Sequence, residues 1–361
     1  MIFSKNVFRA RRLMGVCATV VLFGAGCLGG VSTPATGPDG GIFRLRAVNN
    51  ALEWKQLKLL NLGTKIASIA DVGTATAAFD PQDPLSLYVG TAENGLIFSL
   101  DGGESWQSAK GLSIGRVSAI SVDAKDKCVV YVARTNQIFK TENCGRDWNQ
   151  VFFNPHVDQT FTALATDWFN TSIVYAGTTD GDLFRSDDGG KAWRALTRVE
   201  GIRIMTIAVD PRDSRTVYTA TYGAGVLKSV DGGNTWMPIR KQFEDFERAR
   251  FPRAVILDPL VANRVYHISK FGILRSDDGG GTWKPLTLPT ANSTMDIKAL
   301  ALHPKDAKRL VYATDTSIVF SADGGVTWSP QKLPTTRGVS FLLYDKSDAP
   351  SIFLGALPAK K

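Results

Sequence analysis

Ser99-Leu100-Asp101-Gly102-Gly103-Glu104-Ser105-Trp106 is the first of five copies of Ser-x-Asp-Gly-Gly-x-x-Trp in this 361-residue chain. The others end at Trp193, Trp236, Trp283 and Trp328, and an altered sixth copy ends at Trp148. The six tryptophans are 42, 45, 43, 47 and 45 residues apart. A fixed period of this size indicates one supersecondary unit repeated around a common core.

Working outward from each box, an apolar strand ends at an Asp-Pro-like turn, as in Phe79-Asp80-Pro81, Val209-Asp210-Pro211 and Leu257-Asp258-Pro259. A second strand follows with Leu/Val-Tyr: Leu87-Tyr88, Val130-Tyr131, Val174-Tyr175, Val217-Tyr218, Val265-Tyr266 and Val311-Tyr312. A third strand leads into the box, and its Trp opens a fourth. Alternating Tyr and β-branched residues suit strands buried between neighbouring sheets. Four short strands per unit, repeated, form a propeller blade.

A seventh unit starts at Tyr344-Asp345 but has no box before the chain reaches Lys361. Gly41-Ile42-Phe43-Arg44 mirrors Gly225-Val226-Leu227-Lys228, and Glu53-Trp54 stands where a box would place its Trp. The fold expected is therefore all-β: a single seven-bladed β-propeller over 41–361, the last blade closed by N-terminal strands. Residues 42–60 should give its outer two strands and 338–357 its inner two. Closure of this kind joins the ring and removes the two open edges that the separate halves would leave.

The box reads as a structural turn. Asp101, Asp188, Asp231, Asp278 and Asp323 are placed to accept turn amides, the glycines supply positive φ, and Trp106, Trp193, Trp236, Trp283 and Trp328 should pack on the next sheet. The pattern over 41–357 resembles the Asp-box, or BNR, repeat found in bacterial sialidases, xyloglucanases, sortilin-type receptors and photosystem II assembly-factor-like proteins. Resemblance of this kind implies the fold and leaves the function to be read from the site.

The N-terminus has Lys5, Arg9, Arg11 and Arg12, an uncharged apolar run from Leu13 to Gly26, then Cys27. Residues 1–26 read as an export signal. Gly24-Ala25-Gly26 before Cys27 resembles a bacterial lipoprotein box, although its first position is Gly rather than aliphatic. That resemblance implies lipid on Cys27, a flexible tether over 27–40, and a membrane-anchored protein on the outer, periplasmic or extracellular side. Removing the signal leaves 38 basic against 34 acidic residues. A net +4 without a Lys/Arg stripe does not suit nucleic acid.

Cys128 and Cys144 are the two cysteines within the repeats, and Cys144 replaces the first Gly of the altered box Thr141–Trp148. The turns that carry them share one face, so a disulfide is expected there, worth ~2–4 kcal/mol.

In such a blade the first-to-second and third-to-fourth turns share the box face. A binding site is sought on the far face, whose second-to-third loops carry Glu93, Arg134, Asp180, Tyr222, Lys270 and Asp315. Arg116, Arg203, Arg253 and Arg337 stand near the starts of innermost strands, where guanidinium forks suit carboxylates. Assembly-factor-like propellers resemble this in having an arginine-rich patch. The long connection Arg240–Phe251 adds Phe243 and Phe246 at helical spacing, offered to a partner.

Enzymatic readings find less support. Phe43-Arg44-Leu45-Arg46 lacks the proline of the sialidase element, and Asp180 with Asp315 is the one xyloglucanase-like carboxylate pair that the loops offer. His156, His267 and His303 lack metal-ligand spacing, and no cofactor-binding motif is present. The sequence thus leads to a non-catalytic propeller binding another protein, a membrane complex among the candidates that the resemblance implies. A carbohydrate-active protein, either a xyloglucanase-like glycoside hydrolase or a glycan binder, is the alternative.

Overall fold

A computed structural model of the chain describes residues 38–48, 51–199, 202–239, 241–290 and 294–359. The export signal, Cys27 and the tether as far as residue 37 lie outside the described residues. Seven sheets form the blades of a ring. Their innermost strands, blades 1 to 7, are Thr74–Phe79, Val117–Val122, Phe161–Thr166, Ile204–Asp210, Pro252–Leu257, Ala299–Leu302 and Val339–Tyr344. Blades 2 to 6 are consecutive antiparallel four-stranded meanders.

Blade 7 is the expected clasp. Ile42–Val48 pairs with Ile352–Ala356 in the register Phe43 to Leu354, and Ala51–Leu57 forms the outer edge. The expected outer segment was three residues too long: Leu59–Asn61 leaves the blade and pairs in parallel with Trp106–Ser108 of blade 1. It turns back through Ile66–Ser68, so blade 1 carries six strands rather than four. The hairpin covers the outer edge of blade 1, which would otherwise offer unpaired backbone groups.

Buried apolar side chains fall into seven clusters, one in each seam between adjacent blades. Trp106 of blade 1 is in the seam with blade 7, beside Leu57 and Phe353, and Trp283 of blade 5 is in the seam with blade 4. Each box Trp thus packs on the preceding sheet, not the next. The direction follows from the box itself: a Cβ on Gly103 would meet Leu57, and one on Gly280 would meet Ile239, so the turn is pressed backwards against the earlier blade.

Within the five intact boxes the hydrogen bonds repeat. The second-glycine amide donates to the Ser hydroxyl at 2.7–2.8 Å, that hydroxyl donates to the Asp carboxylate, and the amide four residues after the Asp closes on the same oxygen at 2.9 Å. The first-glycine amide bonds to the first-to-second turn of its own blade, as Gly102 to the Leu85 carbonyl and Gly189 to that of Ser172, both 2.8 Å. Both turns therefore share one face.

In blade 2 the same place holds Cys144, whose amide donates to the Cys128 carbonyl at 3.2 Å, and the two sulfurs are joined in a disulfide. Asn143 substitutes for Asp and still accepts the Asp147 amide at 3.0 Å. Cys144 adopts φ 59° where the other boxes have Gly.

Candidate functional site

The far face is assembled by the ends of second strands and by the connections between blades. At blades 4 and 5 three backbone hydrogen bonds bring separate segments together: Tyr222 N–H to Arg203 at 2.9 Å, Gly223 N–H to Arg250 at 2.9 Å, and Lys270 N–H to Phe251 at 3.2 Å. The Tyr222 and Phe251 rings lie 5.3 Å apart, with Tyr222 41% exposed. The Lys270 ammonium is 5.7 Å from the first ring and 5.6 Å from the second, and the Arg250 guanidinium covers Phe251 at 5.0 Å. Arg203, Arg250 and Lys270 are exposed and form no ion pair among the described residues. Glu244, Asp245 and Glu247 on the adjoining connection leave these cations without an ion pair as well. Exposed aromatic faces held by cations suit an acidic segment with apolar or aromatic side chains.

Other expected residues are occupied elsewhere. Arg337 is not available to a ligand: it pairs with Asp39 at 2.7 Å and with Asp71, and only 13% of its side chain is exposed. The Thr335 hydroxyl donates to the Asp39 carbonyl at 2.6 Å, so this end of the chain fastens the incoming N-terminal strand. Arg253 pairs with Asp296 at 2.9 Å, Asp296 with Lys298 at 2.5 Å, and Lys298 with Asp315 at 3.0 Å. This four-membered run of alternating charge takes up both Arg253 and Asp315. The Asp180–Asp315 pairing accordingly loses one member to an ion pair, and Asp180 is half-buried in blade 3.

Phe243 also departs from expectation. It is buried, stacked on His267 at 4.6 Å and 5.3 Å from Trp283, so it anchors the connection and cannot reach a partner. Phe246 is half-buried on Phe271 at 5.3 Å. His267 donates from Nε2 to the Ala249 carbonyl at 2.8 Å, and burial pushes its pKa down to about 4, so the ring is neutral and acts as a prop. Arg116 is exposed at the start of blade 2, away from the blade 4–5 cluster, and Arg134 lies over Phe139 at 4.8 Å.

Of the four arginines, Arg253 and Arg337 are thus engaged in ion pairs, and Arg116 and Arg203 are exposed. What the sequence reading missed is the part that Arg250 and Phe251 play. Both stand inside the connection already singled out, and the Phe-Pro junction that begins blade 5 was the available signal.

No family model matches the chain, and neither does any curated protein. Among solved structures, a GH74 enzyme of Niastella koreensis superposes with a TM-score of 0.62 at 17% identity, over 79% of this chain and 53% of that one. A structure of YCF48 bound to a D1 peptide gives 0.62 at 18%, over 81% and 94%. YCF48 from Cyanidioschyzon merolae gives 0.59 at 15%, over 79% and 96%. The shared feature is the propeller fold. This chain spans about half of the GH74 enzyme and nearly all of each YCF48 chain, and identity at this level carries the fold alone.

Proposed function

We propose that this chain is an exported propeller, tethered through lipid on Cys27, whose far face binds a segment of another protein and so assists assembly of a membrane complex. The observation that carries this reading is the Tyr222–Phe251–Lys270–Arg250 cluster with Arg203 beside it: cations that form no ion pair among the described residues, around an exposed Tyr222 and a half-buried Phe251. An acidic segment placing an apolar side chain on Tyr222 would gain charge-assisted hydrogen bonds and ring contact together. Likeness to a YCF48 that was solved with a D1 peptide supports a peptide as the ligand class.

Likeness to a GH74 enzyme suggests a glycan instead. The far-face carboxylates Asp296 and Asp315 are engaged by Arg253 and Lys298, which favours the protein reading. The test is capture from detergent-solubilised membranes of the source cell, comparing the native chain with the doubly reversed Arg203→Glu/Lys270→Glu. Under this reading one membrane protein is retained by the native chain and reduced at least about tenfold by the variant, at unchanged thermal midpoint. Equal retention by both, or retention of glycans only, would reject it.

A further inference from the structure

The other end of the ring holds a cavity that the far-face reading leaves unused. A channel of about 390 Å³ opens along the axis on the box face, walled by the innermost strands of blades 1 to 5 through Phe79, Ile120, Leu164, Val209 and Leu257. That volume lies within the range of small-ligand sites. Its polar wall atoms are already satisfied: the Ser121 and Thr166 hydroxyls bond each other at 3.0 Å, and Thr166 also donates to the Val122 carbonyl at 3.1 Å.

The rim is formed by one turn position repeated around the ring, the residue after the Asp or His that ends each innermost strand. Five blades place Pro81, Ala124, Pro211, Pro259 and Pro304 there, residues that direct no functional group at the axis. Blade 3 has Trp168 and blade 7 has Lys346. These blades are not neighbours, yet the Lys346 ammonium stands 5.4 Å from the Trp168 ring, so the two side chains meet across the mouth. Trp168 remains 38% exposed, which leaves indole surface for a ligand.

Among the described residues, no carboxylate lines this channel and Lys346 forms no ion pair. The charge facing it is Asp80 of blade 1, a buried carboxylate committed to the amides of Gln82 at 2.7 Å and Asp83 at 3.2 Å. The neighbouring cations are turned to other partners: Lys125 donates to the Phe169 carbonyl at 2.6 Å and Arg212 to that of Pro259 at 2.9 Å. The apolar surroundings lower the pKa of Lys346, as expected of an ammonium whose charge is poorly compensated.

We propose that the axial channel is a binding site for a small organic anion, a single carboxylate on a flat apolar body, with Lys346 as counter-ion and Trp168 as the stacking surface. The apolar walls receive the body, and the Lys346 ammonium at the rim, only partly balanced by Asp80, selects one negative charge. Binding is independent of the far-face cluster.

The test is calorimetric titration of the full chain with 2-naphthoate and with neutral, nearly isosteric 2-naphthamide. The carboxylate should bind about tenfold more tightly, the worth of one charge-assisted hydrogen bond. Lys346→Met should erase that preference and keep amide binding, Trp168→Ala should weaken both probes, and Lys270→Glu should change neither. Equal binding of the two probes, binding of neither, or a preference that survives Lys346→Met would overturn the proposal.

Discussion

At the scale of single residues, one carboxylate geometry is repeated until it governs the acid response. The Thr235 amide and hydroxyl and the Ser229 hydroxyl hold Asp231 at about 2, and the corresponding Thr282 and Ser276 donors do the same for Asp278. Aspartates of the unfolded chain titrate near 3.9. Between about pH 4 and 2 the unfolded state therefore takes up protons that the folded state does not. The stabilisation is complete above about pH 4 and is lost as the pH falls through 2. Asn143 shows that the turn can be made without charge. An Asp231→Asn/Asp278→Asn variant should thus keep its fold at pH 7 and show a shallower fall of thermal midpoint below pH 4. His267 adds an earlier phase. Its folded pKa of about 4 lies below the unfolded value near 6.5, so its contribution is full above 6.5 and declines as the pH drops toward 4. His267→Asn should remove the decline between pH 6.5 and 4 in the same series of melts.

At the scale of elements, the seams show how a box recognises the blade before it. The second-strand Tyr donates to the first-glycine carbonyl of the following box: Tyr131 to Gly189, Tyr175 to Gly232 and Tyr218 to Gly279, each at 3.0 Å. A third-strand cation reaches the same carbonyl, as Arg44 to Gly102 at 2.9 Å, Lys228 to Gly279 at 2.8 Å and Arg275 to Gly324 at 3.4 Å. Blades 1 and 6 precede the altered box and the missing one, and they carry Phe98 and Phe320 in that place. Each cation thus matches an intact box, a relation written in the sequence but hidden until the seams are seen. Lys228→Met should cost about 1–2 kcal/mol by chemical denaturation, whereas Phe320→Met should leave the hydrogen bonds of its seam unchanged. Losing the Cys128–Cys144 bridge through paired serines should cost ~2–4 kcal/mol for a closed loop of this length.

The strands were legible because their period and turn chemistry agree. One register was not. Leu302 pairs with Leu310, so Val311 takes the tyrosine position of blade 6, and Tyr312 points back to Trp328 of its own blade at 4.9 Å. Leu/Val-Tyr reads alike in blades 1 to 6, but in blade 6 the pair stands one residue later on its second strand, and a shift of one residue moves every side chain to the opposite face. The signal was the spacing: Tyr312 follows Pro304 by eight residues, where Tyr266 follows Pro259 by seven.

For the whole molecule, the ring depends on two distant segments meeting in blade 7, with Arg337 bonded to Asp39 and Asp71 on its far-face side. A chain ending at residue 336 loses the inner strands of that blade and leaves Ile42–Val48 without its partner. It should melt at least about 10 °C below the native chain, and an unchanged midpoint would remove the clasp from the account. The seven blades and their closure could be read from the repeats. The far face could be read only in part, because packing decides which of its residues remain free: Arg337 is taken by the clasp and Phe243 by His267, while Tyr222 and Lys270 stay accessible. The central claim assigns structure to the boxes and protein recognition to the opposite face. It is tested most directly by placing a photo-crosslinking residue in native cells either at position 270, on the far face, or at position 326, in the turn of the last box, where Val326 is exposed. The account predicts a discrete protein adduct from position 270 and none from 326. An adduct from 326 alone, or from neither position, would contradict it.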